Sequence, residues 1–93
     1  MNYLATTIFK LLKSNLKDSS VRIYLYLYCD AGGFEKAARL TNVKISNELH
    51  MNIKTIYSAL TELKESGYIK ITGKTSNRQI VCYDPFVLNE IEI

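Results

Sequence analysis

The feature that most constrains the fold is a pair of helical patterns within residues 41–67, separated by only three residues. In the first pattern, Ile45 and Leu49 lie one helical turn apart. Thr41 or Asn42 precedes them and can accept a hydrogen bond from an exposed amide of the first turn. The pattern therefore predicts a short helix with a capped start.

The second pattern is longer, and both of its ends are marked. Its apolar residues recur at helical spacing: Ile56, Ala59, Leu60 and Leu63. Asn52 is a strong N-cap candidate, and Gly67 can adopt the left-handed conformation that closes a helix. The sequence thus predicts a helix over residues 52–66, joined to the first helix by a tight turn.

Two strand patterns follow the second helix. Residues 68–72 alternate between apolar and polar side chains, and residues 80–83 do so less regularly. The segment between them, 73–78, is polar and rich in turn-forming residues. We therefore predict a β-hairpin over residues 68–83 with an exposed, basic tip.

The first 17 residues carry an amphipathic pattern that predicts an N-terminal helix over residues 3–16. The apolar residues at spacings of three and four are Leu4, Ile8, Leu11 and Leu12.

At the other end, Asp84-Pro85 is a typical helix start, with Asp as N-cap and Pro at the first helical position. Residues 84–93 are accordingly predicted to form a short C-terminal helix.

Residues 21–30 can be interpreted in two ways. The residue types favour a strand, in which Tyr24, Tyr26 and Tyr28 would share one face. The potential capping residues 18–20 in front and the glycine pair 32–33 behind favour a helix. We predict the helix, because it also agrees with the pattern downstream.

This order of elements resembles the winged helix-turn-helix family of DNA-binding domains. The resemblance is carried by residues 40–73, LTNVKISNELHMNIKTIYSALTELKESGYIKITG. It implies an α+β fold with a three-helix core and a β-hairpin wing, here with an extra N-terminal helix and a short C-terminal helix. Residues 41–67 would be the helix-turn-helix, 52–66 its recognition helix and 68–83 the wing, all in a single domain of 93 residues.

The resemblance also implies a short strand at residues 38–40. Two positions depart from the family pattern: His50 replaces the usual Gly of the turn, and Ser46 replaces the usual Ala that faces the recognition helix. Both are compatible with the fold, because His tolerates a left-handed backbone better than most residues and Ser is nearly as small as Ala.

The charge distribution agrees with an anionic partner for the middle of the chain. Residues 36–78 contain eight basic and three acidic residues, a net charge of +5, whereas residues 79–93 carry −3. So mild an excess is also found on ordinary mixed surfaces. The charge therefore supports nucleic-acid binding only in combination with the fold.

A helical wheel identifies the face of the second helix that could contact DNA. Lys54, Ser58 and Thr61 lie opposite the apolar residues, flanked by Thr55 and Tyr57. Hydroxyls can bind base edges or phosphates, and a lysine can reach guanine or phosphate. The alternative is an ordinary solvated helix face.

The wing and the helix starts complete the candidate set. The basic residues around the hairpin tip suit a phosphate backbone or a minor groove, and exposed amides at the first helix start could bind a phosphate. The candidate DNA-binding residues are Lys44, Asn52, Lys54, Thr55, Tyr57, Ser58, Thr61, Lys70, Lys74, Thr75, Asn77 and Arg78.

Other classes of protein find little support in the sequence. With one His and two distant cysteines, Cys29 and Cys82, there is no metal-ligand spacing and no catalytic cluster. We expect no enzyme activity, metal, cofactor or small-molecule ligand. The cysteines give no disulfide framework, and the longest apolar run, residues 23–29, is too short to cross a bilayer. We therefore expect a cytoplasmic protein without a membrane partner.

The family resemblance implies sequence-specific binding of double-stranded DNA. We expect a homodimer on repeated sites, with the N-terminal helix and the C-terminal segment in the dimer contact. Its role would be transcription regulation or site binding on a plasmid or mobile element, in partition, replication or conjugative transfer. The alternative is a winged-helix module that binds a protein through its apolar, tyrosine-rich surface, without specific DNA binding.

Overall fold

A computed structural model describes residues 3–74 and 77–84 of the chain. Over these ranges the elements are α1 (Tyr3–Leu12), α2 (Asp18–Ala31), β1 (Ala37–Ala38), α3 (Asn42–Leu49), α4 (Ile53–Glu65), β2 (Ile69–Thr72) and β3 (Gln79–Cys82). This order confirms the predicted α+β class. The predicted C-terminal helix lies almost entirely in residues 85–93, outside the described ranges.

Helix α4 begins and ends where the sequence predicts. The side chain of Asn52 accepts a 2.8 Å hydrogen bond from the amide of Lys54. At the other end, Gly67 has φ +84°, and the amide of Tyr68 donates to the carbonyl of Leu63 at 2.9 Å. With the bond from the Gly67 amide to the Lys64 carbonyl, this is a Schellman motif, which turns the chain directly into β2.

Helix α3 and the turn after it explain how the two departures from the family pattern are accommodated. Thr41, rather than Asn42, caps the helix and accepts a hydrogen bond from the Lys44 amide. His50 ends the helix in the left-handed conformation, with φ 56° and ψ 45°. The hydroxyl of Ser46 donates to the carbonyl of Met51, so it satisfies a backbone group of the turn.

Residues 18–31 form helix α2, and the strand interpretation is wrong. The helix is closed by Gly32 in the left-handed conformation, as predicted. Its start differs from the prediction, because Lys17 is the N-cap residue and makes no side-chain capping bond. Ser20 lies inside the helix and is fully buried.

The tyrosines of α2 point in different directions because the segment is helical. Tyr24 is buried, its ring meets Tyr68 edge-on at 5.5 Å between centroids, and its hydroxyl donates to the carbonyl of Tyr83. Tyr28 packs edge-on against Phe34 at 4.6 Å. Tyr26 is half-buried, so the three do not form a shared stacking surface.

Helix α1 is shorter than predicted and ends at Leu12. The hydroxyl of Ser14 donates to the Leu11 carbonyl, and the Ser14 amide donates to the same carbonyl. A serine that bonds to the backbone in this way competes with the helix and favours its end. Leu11 is buried, whereas Leu12 is 70% exposed, so only part of the predicted apolar stripe faces the core.

The three strands form one antiparallel sheet in the order β1-β3-β2. In the hairpin, Ile69 pairs with Cys82 and Thr72 with Gln79; in the other pair, Ala38 opposes Ile80. Strand β1 covers residues 37–38 instead of the predicted 38–40, because only these residues reach β3. The buried side chain of Leu40 instead packs in the core.

One core joins all the elements. Its fully buried large side chains include Leu11, Ile23, Leu27, Ile45, Ile56, Leu63 and Ile80. The N-terminal helix is also tied to the end of the hairpin, because the hydroxyl of Thr7 donates to the carboxylate of the buried Asp84. The core therefore fixes α4 and the hairpin relative to each other.

Candidate nucleic-acid interface

The outer face of α4 carries the residues that the helical wheel predicted there. Lys54, Tyr57 and Ser58 are exposed, Tyr57 to 68%, and Thr55 and Thr61 are half-buried. The apolar residues on the opposite face, from Ile56 to Leu63, are buried in the core. This face therefore presents one cation, hydroxyls and an aromatic ring to solvent.

Two of these polar groups also serve the helix itself. The hydroxyl of Thr61 donates a 3.0 Å hydrogen bond to the carbonyl of Tyr57, one turn earlier. The side-chain oxygen of Asn52 caps α4. Lys44 lies exposed in the first turn of α3, at the start of the helix-turn-helix.

The wing presents part of the predicted basic tip. Lys70 on β2, Lys74 after it and Asn77 are exposed. The amide of Asn77 donates to the carbonyl of Lys74 at 2.8 Å, which closes the turn. Thr75, also a predicted site residue, lies outside the described ranges.

Arg78 is held differently from the lysines of the wing. Its Nε donates to the carbonyl of Leu40 at 2.8 Å, and its Nη2 donates to Oδ1 of Asn42 at 2.6 Å. The side chain is half-buried, and this burial lowers the pKa of the guanidinium. Arg78 therefore connects the base of the wing to the start of α3.

Lys17 and Ser19, which the sequence does not identify as candidate DNA-binding residues, lie beside the outer face of α4. Together with Lys54, Thr55 and Ser58 they line an open groove between the start of α2 and α4. The ammonium of Lys17 is 3.5 Å from the hydroxyl oxygen of Ser58. Two basic residues and three hydroxyl groups thus share one groove.

Glu62 holds the two walls of this groove together. Its Oε1 accepts hydrogen bonds from the hydroxyl of Ser20 at 2.5 Å and from the backbone amide of Lys17 at 3.2 Å. The bond from Ser20 is the main cause that lowers the pKa of Glu62, followed by the bond from the Lys17 amide. The carboxylate therefore ties the start of α2 to α4.

The same region exposes three large apolar side chains. Val43 on α3 is 56% exposed, Ile53 at the start of α4 is 47% exposed, and Tyr57 lies one turn beyond Ile53. Two further exposed apolar residues, Phe9 and Leu12, lie on α1. The surface around the helix-turn-helix is thus apolar as well as basic.

The part of the chain that the structure describes contains no cluster of three or more potential metal-ligating side chains. The lone His50 serves the turn after α3 through its backbone conformation. Within the same ranges, no helix combines the length and hydropathy that crossing a bilayer requires.

A three-helix core, α2 to α4, with a hairpin that follows the last helix defines the winged helix-turn-helix fold. Residues 34–70 match the family model described as winged helix-turn-helix DNA-binding, from the connection before β1 into β2. The fold is therefore a winged helix-turn-helix, as the sequence resemblance predicted, and residues 34–70 are similar to the DNA-binding domains of that family. No match was found to a curated protein or to a solved structure.

Proposed function

We propose that this protein binds double-stranded DNA sequence-specifically, with α4 in the major groove and the β2–β3 hairpin as a wing on the adjacent backbone. The observation that carries the proposal is the outer face of α4, where Lys54, Ser58 and Tyr57 project from a helix rigidly capped at both ends. The core packs the opposite face, so only this side of the helix is available to a partner.

The residue types on this face suit a DNA groove. Lysine and hydroxyl side chains can contact base edges or phosphates, and apolar side chains can contact the methyl group of thymine. One lysine neutralises few phosphates, so additional cations are needed for affinity. Lys44 on one side and Lys70 and Lys74 on the wing supply them.

We further propose that the protein acts as a homodimer on repeated sites. Phe9 and Leu12 of α1 are 57% and 70% exposed, and a two-fold contact that buries them would stabilise so small a domain. Recognition helices in such a dimer prefer half-sites about 34 Å apart. The role would be transcription regulation or site binding on a plasmid or mobile element, for partition, replication or conjugative transfer.

Selection from a random duplex pool tests the proposal. The purified protein is mixed with the duplex pool at several salt concentrations, and the duplexes that remain bound to it are sequenced. An enriched repeat with a steep salt dependence is the expected result, and the spacing of its half-sites tests the dimer. Retention without enrichment would leave only nonspecific binding, and no retention at low salt would exclude DNA as the partner.

A second candidate function is protein binding through the same fold. The exposed apolar side chains of Val43, Ile53 and Tyr57 favour it, because a partner that covers them would remove apolar surface from water. The two functions predict that different substitutions abolish binding. Loss of binding in K54A and K74A with strong salt dependence indicates DNA, whereas loss in I53A without salt dependence indicates a protein partner.

A further inference from the structure

We propose that the groove between the start of α2 and α4 binds one phosphodiester group of the DNA backbone, with Lys17 and Lys54 as its cations and Ser19, Thr55 and Ser58 as its hydroxyl donors. This inference rests on the proposed function, DNA binding through α4. It adds a contact from a part of the chain, residues 17–19, that precedes the matched family segment.

The groove is built by specific bonds. Glu62 on α4 accepts hydrogen bonds from the backbone amide of Lys17 and the hydroxyl of Ser20. These bonds hold the start of α2 against α4. The ammonium of Lys17 consequently reaches over α4 to Ser58, at 3.5 Å. Lys17 is therefore directed to the outer face of the recognition helix.

The electrostatics of the groove favour an anion. Lys17 and Lys54 both line it, and no acidic side chain does. Two like charges in one groove repel each other, and an anion between them removes this cost and gains two attractive interactions. Two carboxylates lie near the groove without lining it: Glu62, which is bonded to Ser20 and the Lys17 amide and also attracts the Lys17 ammonium, and the exposed Asp18, next to Lys17 in the chain.

The position of the groove identifies the anion as a backbone phosphate. A helix that lies in the major groove of B-DNA is flanked on both sides by phosphates, and side chains at its flank contact them. Lysines provide charge, and serine and threonine hydroxyls donate to phosphate oxygens. Such a contact carries no sequence information, so it sets the position of α4 on the duplex. Of the outer face, Tyr57 and Thr61 do not line the groove and are left for base recognition.

The test compares K17Q with the matched variant K64Q in binding to a selected duplex across a salt series. Both variants lose one positive charge, and Lys64 is exposed six residues beyond Ser58, about 9 Å further along α4 and outside the groove. We expect K17Q to reduce the slope of log K against log salt by about 0.9 and to weaken binding equally on the selected and a scrambled duplex. K64Q should keep the wild-type slope.

Replacement of single phosphates by neutral methylphosphonates provides the second arm. At one position flanking the recognition site, this replacement should weaken binding of the wild-type protein and have little further effect on binding of K17Q. Tight wild-type binding with an unchanged slope in K17Q would overturn the phosphate site while the proposed function stands. Failure of the wild-type protein to bind any duplex would overturn both.

Discussion

The guanidinium of Arg78, immediately before β3, donates a 2.6 Å hydrogen bond to the side chain of Asn42 in the first turn of α3. A second bond from the same guanidinium reaches the carbonyl of Leu40. Arg78 thus bridges the wing and the helix-turn-helix from one side chain. We infer that its main contribution to the fold is to fix the orientation of the wing.

Replacing Arg78 by Ala should therefore destabilise the fold. Both hydrogen bonds are lost and their acceptors are left partly buried, at a cost of about 1–2 kcal/mol in the free energy of unfolding. Urea denaturation measures this change. K74A, at an exposed position of the same wing, is the control and should stay within about 0.5 kcal/mol of wild type. Equal stability of the two variants would contradict the bridging role.

Replacing Asn52 by Ala should cost about 1 kcal/mol, because the first-turn amide of Lys54 loses its acceptor. N52S should retain most of the stability, since Ser is also a good N-cap residue. N47A, at an exposed position within α3, makes the same change outside a cap and should not destabilise. Thermal unfolding of the three variants checks this order of stability. An unfolding midpoint of N52A equal to that of wild type would contradict the capping role of Asn52.

Glu62 should make stability depend on pH in the acid range. Its hydrogen bonds lower its pKa in the folded state, so the ionised carboxylate stabilises the fold above its unfolded pKa, 4.5. This contribution is lost as the pH falls through the lower, folded-state pKa. The difference in unfolding free energy between wild type and E62Q should accordingly shrink as the pH falls from about 7 to about 3.

Chemical denaturation at each pH measures that difference. E65Q removes the same charge from an exposed position of α4 and controls for the change in net charge. A gap between wild type and E62Q that stays constant across the whole range would show that the bond from Ser20 does not depend on the ionised carboxylate.

The two cysteines should differ sharply in reactivity. Cys29 is exposed, whereas Cys82 is fully buried in β3, and burial raises the pKa of its thiol to about 12. Since the thiolate is the nucleophile, iodoacetamide should label one site in the folded protein and both in denaturant. Mass spectrometry counts the labels, and C29S should take up none while folded. Rapid labelling of folded C29S would contradict the described packing of β3.

The sequence predicts those features that depend on local chemistry. The caps of α4 at Asn52 and Gly67 follow from residue types that favour one backbone conformation. The left-handed turn at His50 is expected only from the family resemblance, which places Gly there and which His can tolerate. The helical state of α2, despite its strand-favouring tyrosines, is predictable only by weighing Gly32 against local propensity. The apolar residues of α4 repeat at helical spacing, so the sequence also predicts which face of this helix is exposed.

Features that depend on packing between distant segments are not predictable in this way. The place of Lys17 beside Ser58 depends on how α2 packs on α4, for which no local pattern exists. From the sequence, Arg78 is expected to be an exposed basic residue of the wing. Its bonds to Leu40 and Asn42 depend on how closely the start of β3 approaches the start of α3, which no local pattern predicts. Strand β1, two alanines long, lacks any alternating pattern and exists because β3 provides a partner.

Strand β3 lies between β1 and β2, and within residues 3–74 and 77–84 the two outer strands pair only with it. It begins at Gln79, beyond the segment 34–70 that matches the family. A graft of that segment alone would carry two open strand edges, which promote aggregation. The helix-turn-helix of this protein is therefore not a transferable module, and a chimaera that borrows its recognition helix must include the chain as far as Cys82.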